Sequence, residues 1–190
     1  FTGDCMMLMG NLHKKYNALS MIRVLVLVYL SNLVGSVIIA ALVYFSGQLD
    51  MSTGLLGAFT IKVAYGKAAL PFSRALFSGI LCNILVCAAV LMAGAAKDIA
   101  GKVFAILFPI MAFVIGGYEH CVANMYYIPA GLMALSNDTY KQAAMNAYGY
   151  TEAQLAALSL KGFFINNLIP VTIGNIIGGM TVSYTHLRAH

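Results

Sequence analysis

Residues 103–135 carry the sequence VFAILFPIMAFVIGGYEHCVANMYYIPAGLMAL, an apolar stretch interrupted at its middle by GGYEH at 116–120. The flanking runs, 103–115 and 121–135, contain 13 and 15 residues. As helices they reach only about 20 Å each, so neither crosses the hydrocarbon of a bilayer alone. Together they can form one broken span.

The interruption also predicts where a functional site lies. Non-helical backbone is tolerated at membrane depth only where it is buried in protein or lines a watery cavity, because lipid offers no hydrogen bonds. Two half-helices that meet at such a break point their termini at a shared site. We therefore expect a site around residues 116–120.

The composition of the 190-residue chain favours a membrane, since 61% of its residues are hydrophobic and 9% are charged. That balance leaves too little polar surface for a soluble domain of this size. The 11 Lys and Arg residues outnumber the 6 Asp and Glu residues. They are scattered along the chain rather than clustered, which argues against nucleic acid as a partner.

Three further runs lack charged residues, and each contains 22 residues. A helix of that length is about 33 Å long and spans hydrocarbon. The predicted transmembrane helices are Val24–Phe45, Ala75–Ala96 and Phe163–Tyr184. With the broken span they predict an all-α membrane protein. Lys and Arg divide evenly between alternate connections, so the positive-inside rule does not decide the orientation.

The remaining segments are shorter or more polar. Residues 1–12 resemble the second half of another broken span, whereas 51–70 and 136–160 are predicted to lie outside the membrane or in a vestibule. Within the last of these, Thr151 and Gln154 have the spacing of a capping box, which predicts a short surface helix.

Small residues in the apolar runs are interpreted as packing features. Ser31 and Gly35, like Gly174 and Gly178, have the spacing that lets helix backbones approach closely. The four cysteines contain no CxxC pair and are predicted to be small buried side chains rather than a disulfide framework. They are Cys5, Cys82, Cys87 and Cys121.

Glu119 and His120 stand side by side at the break, where a charge costs roughly 2.5–3.5 kcal/mol even on lenient insertion scales. Glu119 is expected to brace the backbone amides freed at a helix start. His120 either packs as a neutral ring or donates a hydrogen bond or proton to an anion, and the second use is preferred. No HExxH, paired His or Cys/His cluster accompanies it, so neither a metal nor a cofactor is expected.

Other polar residues in apolar surroundings are weaker candidates. Thr2 lies beside Gly3, which favours a loop, and its hydroxyl can donate to a passing anion. Asn83 and Asn175 are interpreted as interhelical hydrogen-bond partners. Lys67 either marks a membrane boundary or attracts anions into a vestibule.

Three separated motifs, in order, resemble the formate/nitrite transporters. They are FTGDCMM at 1–7, GGYEHCVANMYYIPAG at 116–131 and NLIPVTIGNIIGG at 167–179. The resemblance extends to about Met180, and its middle motif falls on the break. It implies an aquaporin-like bundle of six spans, the second and fifth broken, assembled as a homopentamer in the inner (plasma) membrane.

The same resemblance implies roles for particular residues. Thr2 and His120 would be the paired hydrogen-bonding residues of the two broken loops, and Lys67 the lysine of the conducting path. Apolar constrictions would come from Phe1, Val86 and Phe113, with Asn83, Glu119 and Asn175 supporting the site.

The resemblance also bears on the ends of the chain. The family's first span and the first half of its second span have no counterpart here, so a truncated channel domain is expected at 1–182. After Gly179 the family continues as an apolar helix, whereas SYTHLRAH at 183–190 is interpreted as a non-native tail.

The function implied is passage of small monovalent anions, most of all formate, with nitrite and hydrosulfide as alternatives. FTGDCMM and the Cys121 that follows His120 are similar to hydrosulfide-type members. From another class, a membrane-embedded enzyme would use His120, Cys121 and Glu119, with the cysteine as nucleophile. An enzyme changes the covalent bonds of its substrate, whereas a channel does not.

Overall fold

The fold is taken from a computed structural model that describes residues 1–12 and 17–189. His190, the last residue of the predicted tail, lies outside this range. All regular elements in the described residues are helices. The α-helices are α1 Met7–Leu12, α2 Ala18–Phe45, α3 Leu55–Ala68, α4 Phe72–Ala95, α5 Ile99–Ile115, α6 Cys121–Leu135, α7 Asp138–Tyr148, α8 Glu152–Leu155 and α9 Ile169–Ala189. Short 3₁₀ helices cover Gly3–Met6 and Gln48–Asp50, and a π-helix covers Gly162–Leu168.

The three predicted transmembrane helices are confirmed. Helices long and apolar enough to cross a membrane occupy Ala18–Phe45, Phe72–Ala95 and Gly162–His186. The first of them begins six residues earlier than the uncharged run, because a helix can extend past a charged residue such as Arg23 at its end. Most apolar side chains of α2 are exposed, as expected for a helix that faces lipid.

The predicted interruption is also confirmed. Helix α6 has the expected bounds, whereas α5 begins at Ile99 rather than Val103. The earlier start has a local cause, since the Asp98 carboxylate accepts a hydrogen bond from the Gly101 amide at 2.7 Å and caps the helix.

Two helices form in connecting segments where the sequence did not predict a helix. Helix α3 forms within the mixed segment 51–70, and α7 forms within the polar segment 136–160. Helix α7 has recognisable end signals: the Asn137 side chain caps its start, and Gly149 ends it at φ 68°. The predicted capping box at Thr151 and Gln154 is present and opens α8.

The chain divides into two compact units, each made of separate segments. The first comprises 1–30, 73–121 and 170–190, and the second comprises 31–72 and 122–169. The four cysteines are buried and unbridged, as predicted.

Within the first unit, α4 and α9 pack backbone against backbone. A Cβ added to Gly174 would lie 2.3 Å from the Leu76 carbonyl oxygen, and one added to Gly178 would lie 2.3 Å from that of Ile80. This confirms the predicted close packing at Gly174 and Gly178. The matching prediction for Gly35 stays a prediction, since in the described chain no atom beyond the neighbouring residues and backbone of its own helix lies within 4 Å of the position its Cβ would take.

Within the second unit, α7 packs against α3 through Tyr140. A Cβ on Gly57 would lie 2.5 Å from Tyr140 Cγ, so the ring fills the space that a side chain would need. The Tyr140 hydroxyl donates to the Asp50 carboxylate. That hydrogen bond is the main reason that the pKa of Tyr140 rises to about 12.

The contact between α4 and α9 makes a testable prediction. Gly174→Ala should lower the stability of the folded protein by about 1–3 kcal/mol, because the added methyl group must push a backbone carbonyl away. The measurement is thermal unfolding in detergent. Gly35→Ala is the matched control and should be neutral or slightly stabilising, since alanine is the better helix former. Equal melting temperatures for the two variants would contradict the packing described.

Candidate functional site

The break between α5 and α6 begins with a glycine-dependent helix end. Gly117 has a left-handed backbone with φ 66°. The Gly117 amide donates to the Val114 carbonyl at 3.1 Å, and the Tyr118 amide donates to the Phe113 carbonyl at 3.0 Å. These two bonds form a Schellman motif, which terminates α5 and satisfies its last carbonyls.

The far side of the break is held by the side chain of Asn175 on α9. Its Oδ1 accepts from the Cys121 amide at 2.9 Å, at the first residue of α6. Its Nδ2 donates to the Glu119 carbonyl at 3.0 Å and to the Gly79 carbonyl at 2.8 Å. One fully buried amide therefore satisfies three backbone groups that would otherwise lack partners at the break.

Asn83 connects this support to the start of the chain. Its Nδ2 donates to the Asn175 carbonyl and, at 3.1 Å, to the Thr2 carbonyl. The Cys87 thiol also approaches the Thr2 carbonyl, at 3.7 Å. A Cβ on Gly179 would lie 2.6 Å from Asn83 Nδ2, so the glycine leaves room for that amide.

Thr2 and His120, which are 118 residues apart, meet in the first unit. Thr2 Oγ1 lies 3.0 Å from His120 Nε2, and the tautomer of the ring decides which atom donates. Thr2 is 6% exposed, and His120 is half-buried. The pair combines a hydroxyl and an imidazole, which can pass a proton between them or donate to an anion.

Aromatic rings flank the pair. Phe113 stacks on the His120 ring with centroids 5.6 Å apart and planes at 19°. Phe1 packs edge-on against Tyr29 at 4.8 Å. Val86 is nearly buried on α4, one turn beyond Asn83.

Two polar residues near Phe1 were not predicted as site residues from the sequence. The Tyr29 hydroxyl and Thr172 Oγ1 lie 2.9 Å apart. Both residues line an otherwise apolar cavity of about 430 Å³ that also contacts Phe1. Their signal was available, because each places a hydroxyl inside an uncharged, apolar run.

Glu119 is buried within the same connected set. The residue is 3% exposed, and its backbone amide donates to Ser78 Oγ at 3.0 Å. The brace for the freed backbone at the break is thus supplied at least in part by Ser78 and Asn175. The role expected of the Glu119 carboxylate stays a prediction.

Lys67 belongs to the second unit. It is the penultimate residue of α3, and its backbone carbonyl accepts from Asn167 Nδ2 at 3.0 Å. Its Nζ lies 5.5 Å from the centroid of the Tyr127 ring. Lys67 therefore has neighbours different from those of the other predicted polar site residues. Direct contacts connect a set made of Thr2, Asn83, Phe113, Glu119, His120 and Asn175.

Comparisons with known proteins identify the family to which this chain is similar. A family model described as formate/nitrite transporter matches residues 1–187. The chain is 38% identical over 182 residues to the formate channel FocA of Haemophilus influenzae, covering 94% of this chain and 62% of that protein. The chain thus spans less than two thirds of the length of that relative.

Solved structures give the same result. The chain matches a structure described as a pentameric formate channel with formate bound, with a TM-score of 0.79 and 34% identity, covering 90% of this chain and 66% of that one. It also matches a structure described as an FNT family ion channel, with a TM-score of 0.75 and 30% identity, covering 100% of this chain and 68% of that one.

The role of Asn175 can be tested by removing its hydrogen bonds. Asn175→Leu leaves the Glu119 and Gly79 carbonyls and the Cys121 amide without this partner, at about 1–3 kcal/mol for each buried group. We expect a lower melting temperature and faster labelling of the Cys121 thiol by a small maleimide, read by peptide mass spectrometry. Asn146→Leu, at an exposed amide on α7, is the control. A labelling rate at Cys121 equal to that of the control would show that the break does not depend on Asn175.

Proposed function

Since the chain belongs to the formate/nitrite transporter family, we propose that it forms part of a transmembrane channel for small monovalent anions, with formate as the substrate. The observation that carries the proposal is the contact between Thr2 and His120 at a break in a membrane helix. Formate is favoured because relatives similar over most of this chain are described as formate channels.

Such a channel must solve one physical problem, the passage of a charged anion through an apolar constriction. Moving a bare carboxylate out of water into an apolar constriction is costly unless the charge is paired or neutralised. A small neutral acid passes such a constriction far more readily. Phe1, Val86 and Phe113 would form the constriction, and protonation or strong hydrogen bonding would lower its barrier.

Thr2 and His120 supply the groups for that step. When His120 Nε2–H donates to Thr2 Oγ1, the Thr2 hydroxyl proton is free to donate to the anion. Proton transfer from a cationic imidazole through the hydroxyl would then turn formate into formic acid and leave a neutral ring. The imidazole suits this step because its two protonation states are close in energy near neutral pH.

Lys67 would act earlier on the path. An ammonium group near an aqueous entrance raises the local concentration of anions through long-range attraction that salt screens. In this proposal Lys67 gathers the anion, and Thr2 with His120 handles it inside the membrane.

The assembly follows from the same relatives. We propose a homopentamer in the inner (plasma) membrane, with one pore in each protomer, because a pentameric formate channel has the same fold over most of this chain. In this proposal the channel moves its substrate unchanged. Cys121, the nucleophile of the enzymatic alternative, is fully buried, which favours a packing role for its thiol.

His120→Asn tests the protonation step. Formate influx into liposomes containing the native full-length protein should fall as the pH rises from about 5 to about 8, because fewer imidazoles carry a proton. The variant should lose or reshape that dependence, since an amide does not titrate. Thr2→Ser keeps the hydroxyl and is expected to keep the native profile.

The outcomes separate the possible readings. Identical pH profiles for the native protein and His120→Asn would remove His120 from the protonation step. Absence of formate influx in the native protein would contradict formate as substrate, and nitrite and hydrosulfide influx would be measured next. A substrate recovered with altered covalent bonds would favour the enzyme.

A further inference from the structure

The end of helix α3 is tied to another element through a backbone group of Lys67. The helix ends at Ala68, so the Lys67 carbonyl lies in the last turn, where helix carbonyls run out of partners within the helix. The Leu70 amide reaches this oxygen only at 3.4 Å. Asn167 Nδ2 donates to it at 3.0 Å, which makes Asn167 its closer partner of the two.

The Asn167 amide is itself oriented by a second buried amide. Asn124 Nδ2 donates to Asn167 Oδ1 at 2.7 Å, and both side chains are fully buried. A carbonyl only accepts, so the Asn167 atom that faces the Lys67 carbonyl must be the nitrogen. The bond from Asn124 to the other end of the amide fits that orientation.

The π-helix at 162–168 brings Asn167 to this position. π-Helices are rare and appear frequently at functional sites. A Cβ on Gly162, at the start of the π-helix, would lie 3.3 Å from the Cβ of Ala68. The start of the π-helix thus lies close to Ala68, and Asn167, near its end, contacts Lys67.

The ammonium group of Lys67 has a separate contact on α6. Tyr127 lies three residues after Asn124, and its ring centroid is 5.5 Å from Lys67 Nζ, within the range of a cation–π interaction. Helices α3 and α6 are close here, since a Cβ on Gly131 would lie 2.1 Å from that of Ala64. Tyr127 remains 38% exposed, so the ammonium is held at an accessible ring rather than sealed in.

We propose that Asn124, Tyr127 and Asn167 are positioning residues for Lys67, an inference that rests on the proposed role of Lys67 in gathering the anion. The two asparagines hold its backbone, and Tyr127 holds its ammonium group. The side chain of a lysine is long and flexible, so its charge is directed to one place only when both its backbone and its ammonium group are positioned. These three residues position both.

The test measures formate influx in liposomes with the full-length protein, against formate concentration and against ionic strength. Lys67→Gln comes first and should raise the half-saturating formate concentration and flatten the salt dependence. Asn167→Leu and Tyr127→Leu should raise the half-saturating concentration by about two- to fivefold, flatten the salt dependence in the same way, and leave the maximal flux near the native value. Neither change should add to Lys67→Gln in a double variant.

Conservative variants separate positioning from a general loss of structure. Tyr127→Phe keeps the ring and should restore the native half-saturating concentration, whereas Tyr127→Leu should not. This pair remains informative even where Asn167→Leu folds poorly, because Tyr127 is partly exposed. Asn146→Leu is the control for replacing an asparagine.

Three results would overturn the inference. They are a native half-saturating concentration in both Asn167→Leu and Tyr127→Leu, a loss of maximal flux with unchanged salt dependence, and effects that add fully to those of Lys67→Gln. A Lys67→Gln protein with native influx and salt dependence would instead overturn the role proposed for Lys67 itself. Because Thr2 and His120 are tested separately, by pH dependence, that failure would be distinguishable from failure of the channel mechanism.

Discussion

The buried amide of Asn175 is the interaction on which the site depends. A break in a membrane helix exposes backbone groups that lipid cannot satisfy. Asn175 satisfies the groups on both sides of His120, at Glu119 and Cys121, and bonds to α4 at the Gly79 carbonyl. The main-chain carbonyl of Asn175 accepts from Asn83 Nδ2, which also donates to the Thr2 main-chain carbonyl. The two residues that meet at the site are therefore placed by one continuous set of buried hydrogen bonds.

That set needs a close contact between helices, which the glycines of α9 provide. Gly174 and Gly178 let the backbone of α9 touch that of α4, and Gly179 leaves space for the Asn83 amide. An amide side chain is short, so Asn175 reaches the Gly79 carbonyl only because the two helices are this close. Packing and polar support are thus parts of the same interface. The hydrophobic effect contributes little here, because lipid is as apolar as the protein side chains.

The sequence was most informative where local chemistry determines structure. The break at 116–120 was predictable because two adjacent glycines end a helix and because neither flank is long enough to cross a membrane. The partners of the break were less predictable, since Asn175 lies 54 residues from Cys121 and only the fold brings them together. Resemblance supplied the pairing of Thr2 with His120, which spacing alone did not. Four polar residues were not predicted, because a polar residue in an apolar run does not indicate which residue it bonds to. They are Tyr29, Thr172, Asn124 and Asn167. At Gly35 the sequence spacing permits a close helix contact but does not identify the helix that would make it.

The main-chain carbonyl of Thr2 accepts from Asn83 and Cys87, while its hydroxyl contacts His120. The backbone of residue 2 therefore has partners that do not depend on the identity of its side chain. A serine, a valine or a cysteine there would keep the contacts of the main-chain carbonyl and place a different group beside His120. In the proposed channel, single substitutions at position 2 would therefore change the group that meets the anion without rebuilding the scaffold that carries it.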